Sequence, residues 1–140
     1  HPETDSSNLQ FNGSTDGGSN YNVTKVTTFF KATHNEADNS YALGYDNGTD
    51  IVGTGFANLN ENTGSDADQT ASGYLYLFGP SSTTYQKHWH AVTNTLQAGD
   101  QLQQSFVAGY FNTTSAVDAV QFKQSSGEIQ GGKIKLYGIS

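Results

Sequence analysis

Short runs in which every second residue is apolar, each cut off by Gly, Asn, Asp or Ser, leave this chain little to fold into except β-structure. Tyr74-Leu-Tyr-Leu-Phe78 ends at Gly79-Pro80-Ser81-Ser82, and Val117 to Lys123 is followed by Ser125-Ser126-Gly127. Successive strand side chains point to opposite faces, so this alternation gives each strand two distinct sides. Proline cannot donate to a ladder, so the strand before Pro80 must stop there. No run of useful length carries apolar residues at the i, i+3, i+4 spacing of a helix.

Read this way, strands are expected at Asn8 to Asn12, Asn22 to His34, Ser40 to Tyr45, Asp50 to Phe56, Ala71 to Phe78, Thr83 to Leu96, Gln101 to Phe111, Val117 to Lys123 and around Ile134 to Tyr137. Asp16-Gly17-Gly18 supplies the positive φ angles of a tight hairpin turn between the first two. Asn58 to Thr70 is polar, lacks a β-branched run and reads as a long surface loop. Tyr74, Tyr76 and Phe78 alternate with Leu75 and Leu77, so that strand is apolar on both faces. Such a strand is central in a sandwich or has one face in a subunit interface. Ile134 and Leu136 alternate with Lys133, Lys135 and Tyr137, the pattern of a half-buried strand. The expected fold is all-β: an antiparallel β-sandwich, jelly-roll-like, with eight or nine strands in a single domain over residues 1–140.

A chain of 140 residues with 17 aromatics (eight Phe, eight Tyr, one Trp) can bury a core without disulfides. It has no cysteine, which removes thiolate nucleophiles and thiolate metal sites. Thirteen acidic residues face six lysines and no arginine, for a net charge of −7. Phosphate-binding surfaces want clustered cations, so no nucleic-acid partner is expected. No apolar stretch approaches ~20 residues, so no membrane insertion is expected. There is no methionine, and an N-terminal portion of the native chain is expected to be missing.

Little in the sequence points to catalysis. His88-Trp89-His90 places two imidazoles on one strand face, a start for a metal site, but no acid follows until Asp100 at a turn. Asp46 to Asp50 and Asn60 to Asp68 carry carboxylates, amides and glycine. They leave structural calcium open as the one cofactor, although neither has the EF-hand spacing. The four glutamates at 3, 36, 61 and 128 form no pair of the kind glycoside hydrolysis needs. No catalytic, cofactor-binding or metal-binding residue is assigned, and no enzyme is expected. Exposed rings are platforms for sugars, and Tyr85, Trp89 and Tyr110 are the candidates for glycan contact.

Three blocks resemble the C-terminal domain of virion structural proteins from marine tailed bacteriophages. They are Asp16-Gly-Gly-Ser-x-Tyr21, Ser72-Gly-Tyr-Leu-Tyr-Leu-Phe-Gly-Pro-Ser-Ser-Thr-Thr84, and Thr113 to Gly138. Val120 stands where that pattern has isoleucine. The likeness spans nearly the whole chain and is weakest over Asn35 to Thr70. It implies a non-enzymatic virion component, a tail-fibre, appendage or capsid-decoration subunit located on an extracellular particle. Its partners would be other virion proteins and copies of itself in a homo-oligomer. Residues expected to serve packing or interface are Tyr74, Tyr76, Phe78, Trp89, Phe106, Phe122, Ile134, Leu136 and Tyr137. The alternative is a carbohydrate-binding module that meets host-surface glycans through its exposed aromatics.

Overall fold

The computed structural model describes residues 1–139, and these form nine strands and no helix. In chain order they are β1 (Leu9–Ser14), β2 (Lys25–Asn35), β3 (Tyr41–Tyr45), β4 (Val52–Gly53), β5 (Ala57–Asn58), β6 (Ala71–Leu77), β7 (Lys87–Gln97), β8 (Gln101–Phe111) and β9 (Ala119–Gln124). Every pairing is antiparallel. A small sheet has the order β5-β1-β9, and a large one the order β3-β2-β8-β7-β6, with β4 also on β2. The sheets close as an antiparallel β-sandwich around Phe11, Phe29, Trp89, Val107, Phe111 and Val117.

The three 11-residue strands β2, β8 and β7 form the spine of the large sheet. A short turn joins β7 to β8, with Gln97 opposite Gln101 and Asp100 at a φ of 54°, a left-handed conformation that Asp tolerates. At the other end Gly109 lies opposite Trp89. A methyl group there would stand 2.7 Å from the Val26 carbonyl and 2.9 Å from the indole ring, so glycine is what admits Trp89 to the core.

The inward face of the large sheet changes character along the strands. At one end lie Phe29, Trp89, Ala91, Val107 and Phe111, packed on Phe11 of β1, whose ring meets the indole edge-on at 5.4 Å. At the other end lie Thr93, Thr95, Gln97, Gln103 and Ser105, all buried. These polar groups face the stretch that was expected to be a surface loop. Leu59, Asn60, Thr63 and Gln69 are each at most 2% exposed, so residues 57–64 and Gln69 line the core, while 66–68 stay at the surface. Only Ala57–Asn58 form a strand there. A covering segment without a ladder leaves carbonyls to satisfy. Thr93 Oγ1 donates to the Leu59 carbonyl at 2.6 Å and Gln97 Nε2 to the Glu61 carbonyl at 3.4 Å. Gln97 also donates to Gln103 at 2.6 Å, and Gln103 to Ser105 at 2.8 Å.

Three more expectations are corrected. The Asp16-Gly17-Gly18 turn makes no hairpin. It carries the chain from β1 in the small sheet to β2 in the large one, held by the Asp16 carboxylate accepting from the Asn20 side chain and backbone. Those bonds, the Asn20 side-chain one foremost, hold the Asp16 carboxyl down at about 2. Strand β6 is not central; it is the rim of the large sheet. No strand forms at Ile134 to Tyr137, where Ile134, Leu136 and Tyr137 are exposed without ladder partners.

Candidate functional site

Because strand side chains alternate, the residues between those of the core stand on the outer face of the large sheet, and the register arranges them in rows. Across β2, β8, β7 and β6 the first row is Val26, Tyr110, His88 and then Phe78, whose N–H pairs with the His88 carbonyl. Next come Thr28, Ala108, His90 and Tyr76, then Phe30, Phe106, Val92 and Tyr74, with Tyr45 of β3 beside Phe30. Beyond them lie Ala32, Gln104, Asn94 and Ser72.

The rings stand in three contacting groups on this face. Phe30 and Phe106 stack at 4.7 Å with planes 8° apart. Tyr76 lies 5.4 Å from Tyr74 and 6.3 Å from Phe78, and His90 sits 5.3 Å from Tyr76 and 5.7 Å from Phe78. His88 lies 5.7 Å from Tyr110. The small residues Thr28 and Ala108 sink between the flanking rows and join two open troughs, of about 300 and 190 Å³. The outward positions of β2, β3, β6, β7 and β8 carry no Asp, Glu, Lys or Arg. In a chain with 19 charged residues, that leaves one broad neutral face.

Fixed charge is gathered elsewhere. Lys31 bridges Asp46 and Glu61, and Thr49 donates to Glu61. Burial works against the Lys31 charge, but the two carboxylates prevail and raise its pKa, while Lys31 lowers that of Asp46. Lys25 is fully buried on the inner face. Its ammonium donates to the Gly55 carbonyl, and burial brings its pKa down to about 8.

The named candidates fall in different places. Tyr74, Tyr76 and Phe78 lie on the outer face, at 53%, 43% and 52% exposure. Phe106 and Tyr110 are half-buried on the same face. Phe122 packs against the core from the small sheet. Trp89 is 2% exposed, so its ring cannot meet a sugar and the glycan role expected of it is withdrawn. Tyr85 is exposed in the loop before β7 and belongs to none of the rows of the ladder. His88 and His90 share the outer face without an acid beside them, and no three metal-binding side chains cluster among the described residues. In the two loops considered for calcium, Asp46 and Asp50 already accept from Lys31 and Tyr45, and the buried Asn60 Oδ1 accepts from the Leu9 N–H. Sequence reasoning missed Phe30. Its pairing with Phe106 depends on the register of β2 on β8, which alternation within either strand does not reveal.

The chain matches no family model, no curated protein and no solved structure. The resemblance to phage virion proteins therefore rests on the sequence blocks quoted above.

Proposed function

We propose that this domain is a non-enzymatic structural subunit of a virus particle, of the fibre, appendage or capsid-decoration kind, which packs through the outer face of its large sheet. The observation that carries the packing part of the reading is the aromatic face around Phe30, Phe106, Tyr74, Tyr76 and Phe78, whose strand positions hold no Asp, Glu, Lys or Arg; the virion part rests on the resemblance of the sequence blocks. Five strands about 4.8 Å apart, three of 11 residues and the others of 7 and 5, cover about 700 Å². One partner in a standard protein interface contributes roughly 800 Å². Neutrality matters because each copy is strongly acidic, and a charge-free face lets identical copies meet without opposing carboxylates. Particle membership is tested by electron microscopy of the source particle with labelled antibody. Label repeating over a shell or confined to fibres supports the reading, and a particle without label refutes it. Self-packing is tested by sedimentation, and a monomer at all concentrations refutes that part.

A second reading, a carbohydrate-binding module, is favoured by the rings of Tyr74, Tyr76 and Phe78 standing beside the polar side chains of Ser72 and Asn94. Calorimetric titration with host-surface glycans that gives no heat at millimolar ligand would remove it.

A further inference from the structure

The segment Gly132 to Ile139 is built like a strand and pairs with nothing. Ile134 and Leu136 fall on one side and Lys133, Lys135 and Tyr137 on the other. All eight residues are exposed, and none of their backbone groups is hydrogen-bonded among the described residues. An alternating segment with a full set of unmet N–H and C=O groups is a donor for strand addition.

The same molecule carries an acceptor. Strand β6 pairs with β7 on one side only. The Phe78 N–H donates to His88 and the Leu96 N–H to Thr70, so by alternation the amides of Gly73, Leu75 and Leu77 point to the open edge. That edge is seven residues long, the length of Lys133 to Ile139. Its inward side chains, Leu75 and Leu77, are half-buried at the rim of the core. An added strand would cover them with Ile134 and Leu136 and lay its lysines beside the rings of Tyr74 and Tyr76. The other open edges fit less well. Strand β9 would set Lys123 against the incoming lysines, and the inward residues of β3, Ala42 and Gly44, offer no leucine rim.

Charge indicates the occupant. All 13 carboxylates lie before residue 132, against four of the six lysines, and two of those four are fully buried. The segment is thus a cation leaving an anionic body, and exposed Asp66 and Asp68 stand just before β6. We propose that Lys133 to Ile139 adds as a further strand to the β6 edge of a second copy, so that neighbouring subunits are joined by strand exchange. This rests on the self-packing reading and names a contact separate from the aromatic face.

The test compares the full chain with the double variant Ile134→Asp, Leu136→Asp. Both sites are exposed, so the fold is untouched. Amide exchange is read at low and high protein concentration, together with the sedimenting mass. The expected result is that Gly73, Leu75 and Leu77 exchange at least about tenfold more slowly at high concentration in the full chain but not in the variant. A synthetic peptide of residues 132–139 should restore that protection to the variant. The proposal is overturned if the three amides stay open at every concentration, or if they are protected in a monomer, where the segment must lie on its own sheet. It is also overturned if the variant associates with protection unchanged. Association that persists while these amides stay open leaves the aromatic face as the contact and removes only strand exchange.

Discussion

The inner and outer faces of the large sheet are made by the same strands, residue for residue in alternation, and they solve opposite problems. The inner face holds lysine, threonine and glutamine as well as Phe29, Trp89 and Phe111, yet all of β7's share of it and most of β8's is buried. The outer face holds Phe30, Tyr74, Tyr76 and Phe78, all more than 40% exposed. Hydrophobicity alone would sort the two faces poorly. What separates them is whether a second layer lies above and supplies partners for polar groups. The small sheet and residues 57–64 do this on the inside, and nothing among the described residues does it on the outside.

Substitutions can break that contrast, and the largest effect belongs to Trp89. Trp89→Ala should lose about 3–5 kcal/mol of unfolding free energy in a denaturant titration, because a buried indole leaves a cavity. The same truncation at Tyr76 should cost less than about 1 kcal/mol. If the two prove equal, the faces are not distinct in the monomer. Gln103→Ala should cost about 1–3 kcal/mol, since it takes from the buried Gln97 amide the nearer of its two acceptors.

Lys25 sharpens the comparison from the other direction. Its folded pKa of about 8 lies below the 10.5 of the unfolded chain. The unfolded state therefore binds more protons between these values, and stability should rise with pH across that window. Below pH 8 the burden of the buried charge is felt in full, at about 1.4 kcal/mol for each pH unit of the window. Lys25→Met should raise stability at pH 7 by about 2 kcal/mol and flatten the rise, as followed by thermal melts from pH 7 to 10. A melting temperature unchanged across that range would show that the ammonium reaches water. Smallest for the fold, and largest for assembly, is the pair Phe30→Ser, Phe106→Ser. Monomer stability should move by no more than about 1 kcal/mol per site, while concentration-dependent association falls away in sedimentation.

The long strands could be read from the sequence because alternation and turn residues are local signals. Strands β2, β7 and β8, the stop at Gly79-Pro80 and the sandwich they imply all follow from them. The rest depends on what lies across the core. Leu59, Asn60 and Thr63 look like loop residues because their partners, Thr93 and Gln97 with their neighbours, are far away in sequence. Nothing within Tyr74-Leu-Tyr-Leu-Phe78 says that the leucines face inward and the rings outward. That choice was made by β7, whose Trp89 and Ala91 fill the core on the side of Leu75 and Leu77. Ile134 to Tyr137 has the pattern of a strand without a neighbour in its own chain, so its propensity was legible and its state was not. The candidate face was visible only in part, since rows across a sheet are a property of register.

The polar end of the core has a consequence for alignment. A two-residue slip of β8 along β7 would keep every apolar side chain facing its proper layer, so the rings and valines discriminate weakly against it. The buried Gln97–Gln103 bond, the one link between β7 and β8 in the run of donors from Gln69 to Ser105, does not survive such a slip. Its loss would leave an amide proton of Gln97 and the Gln103 carbonyl unpaired away from water. The glutamines thus act as a key, accepting one alignment of the longest hairpin and rejecting its nearest neighbours. That same alignment fixes where Phe106 meets Val92 on the opposite side of the sheet.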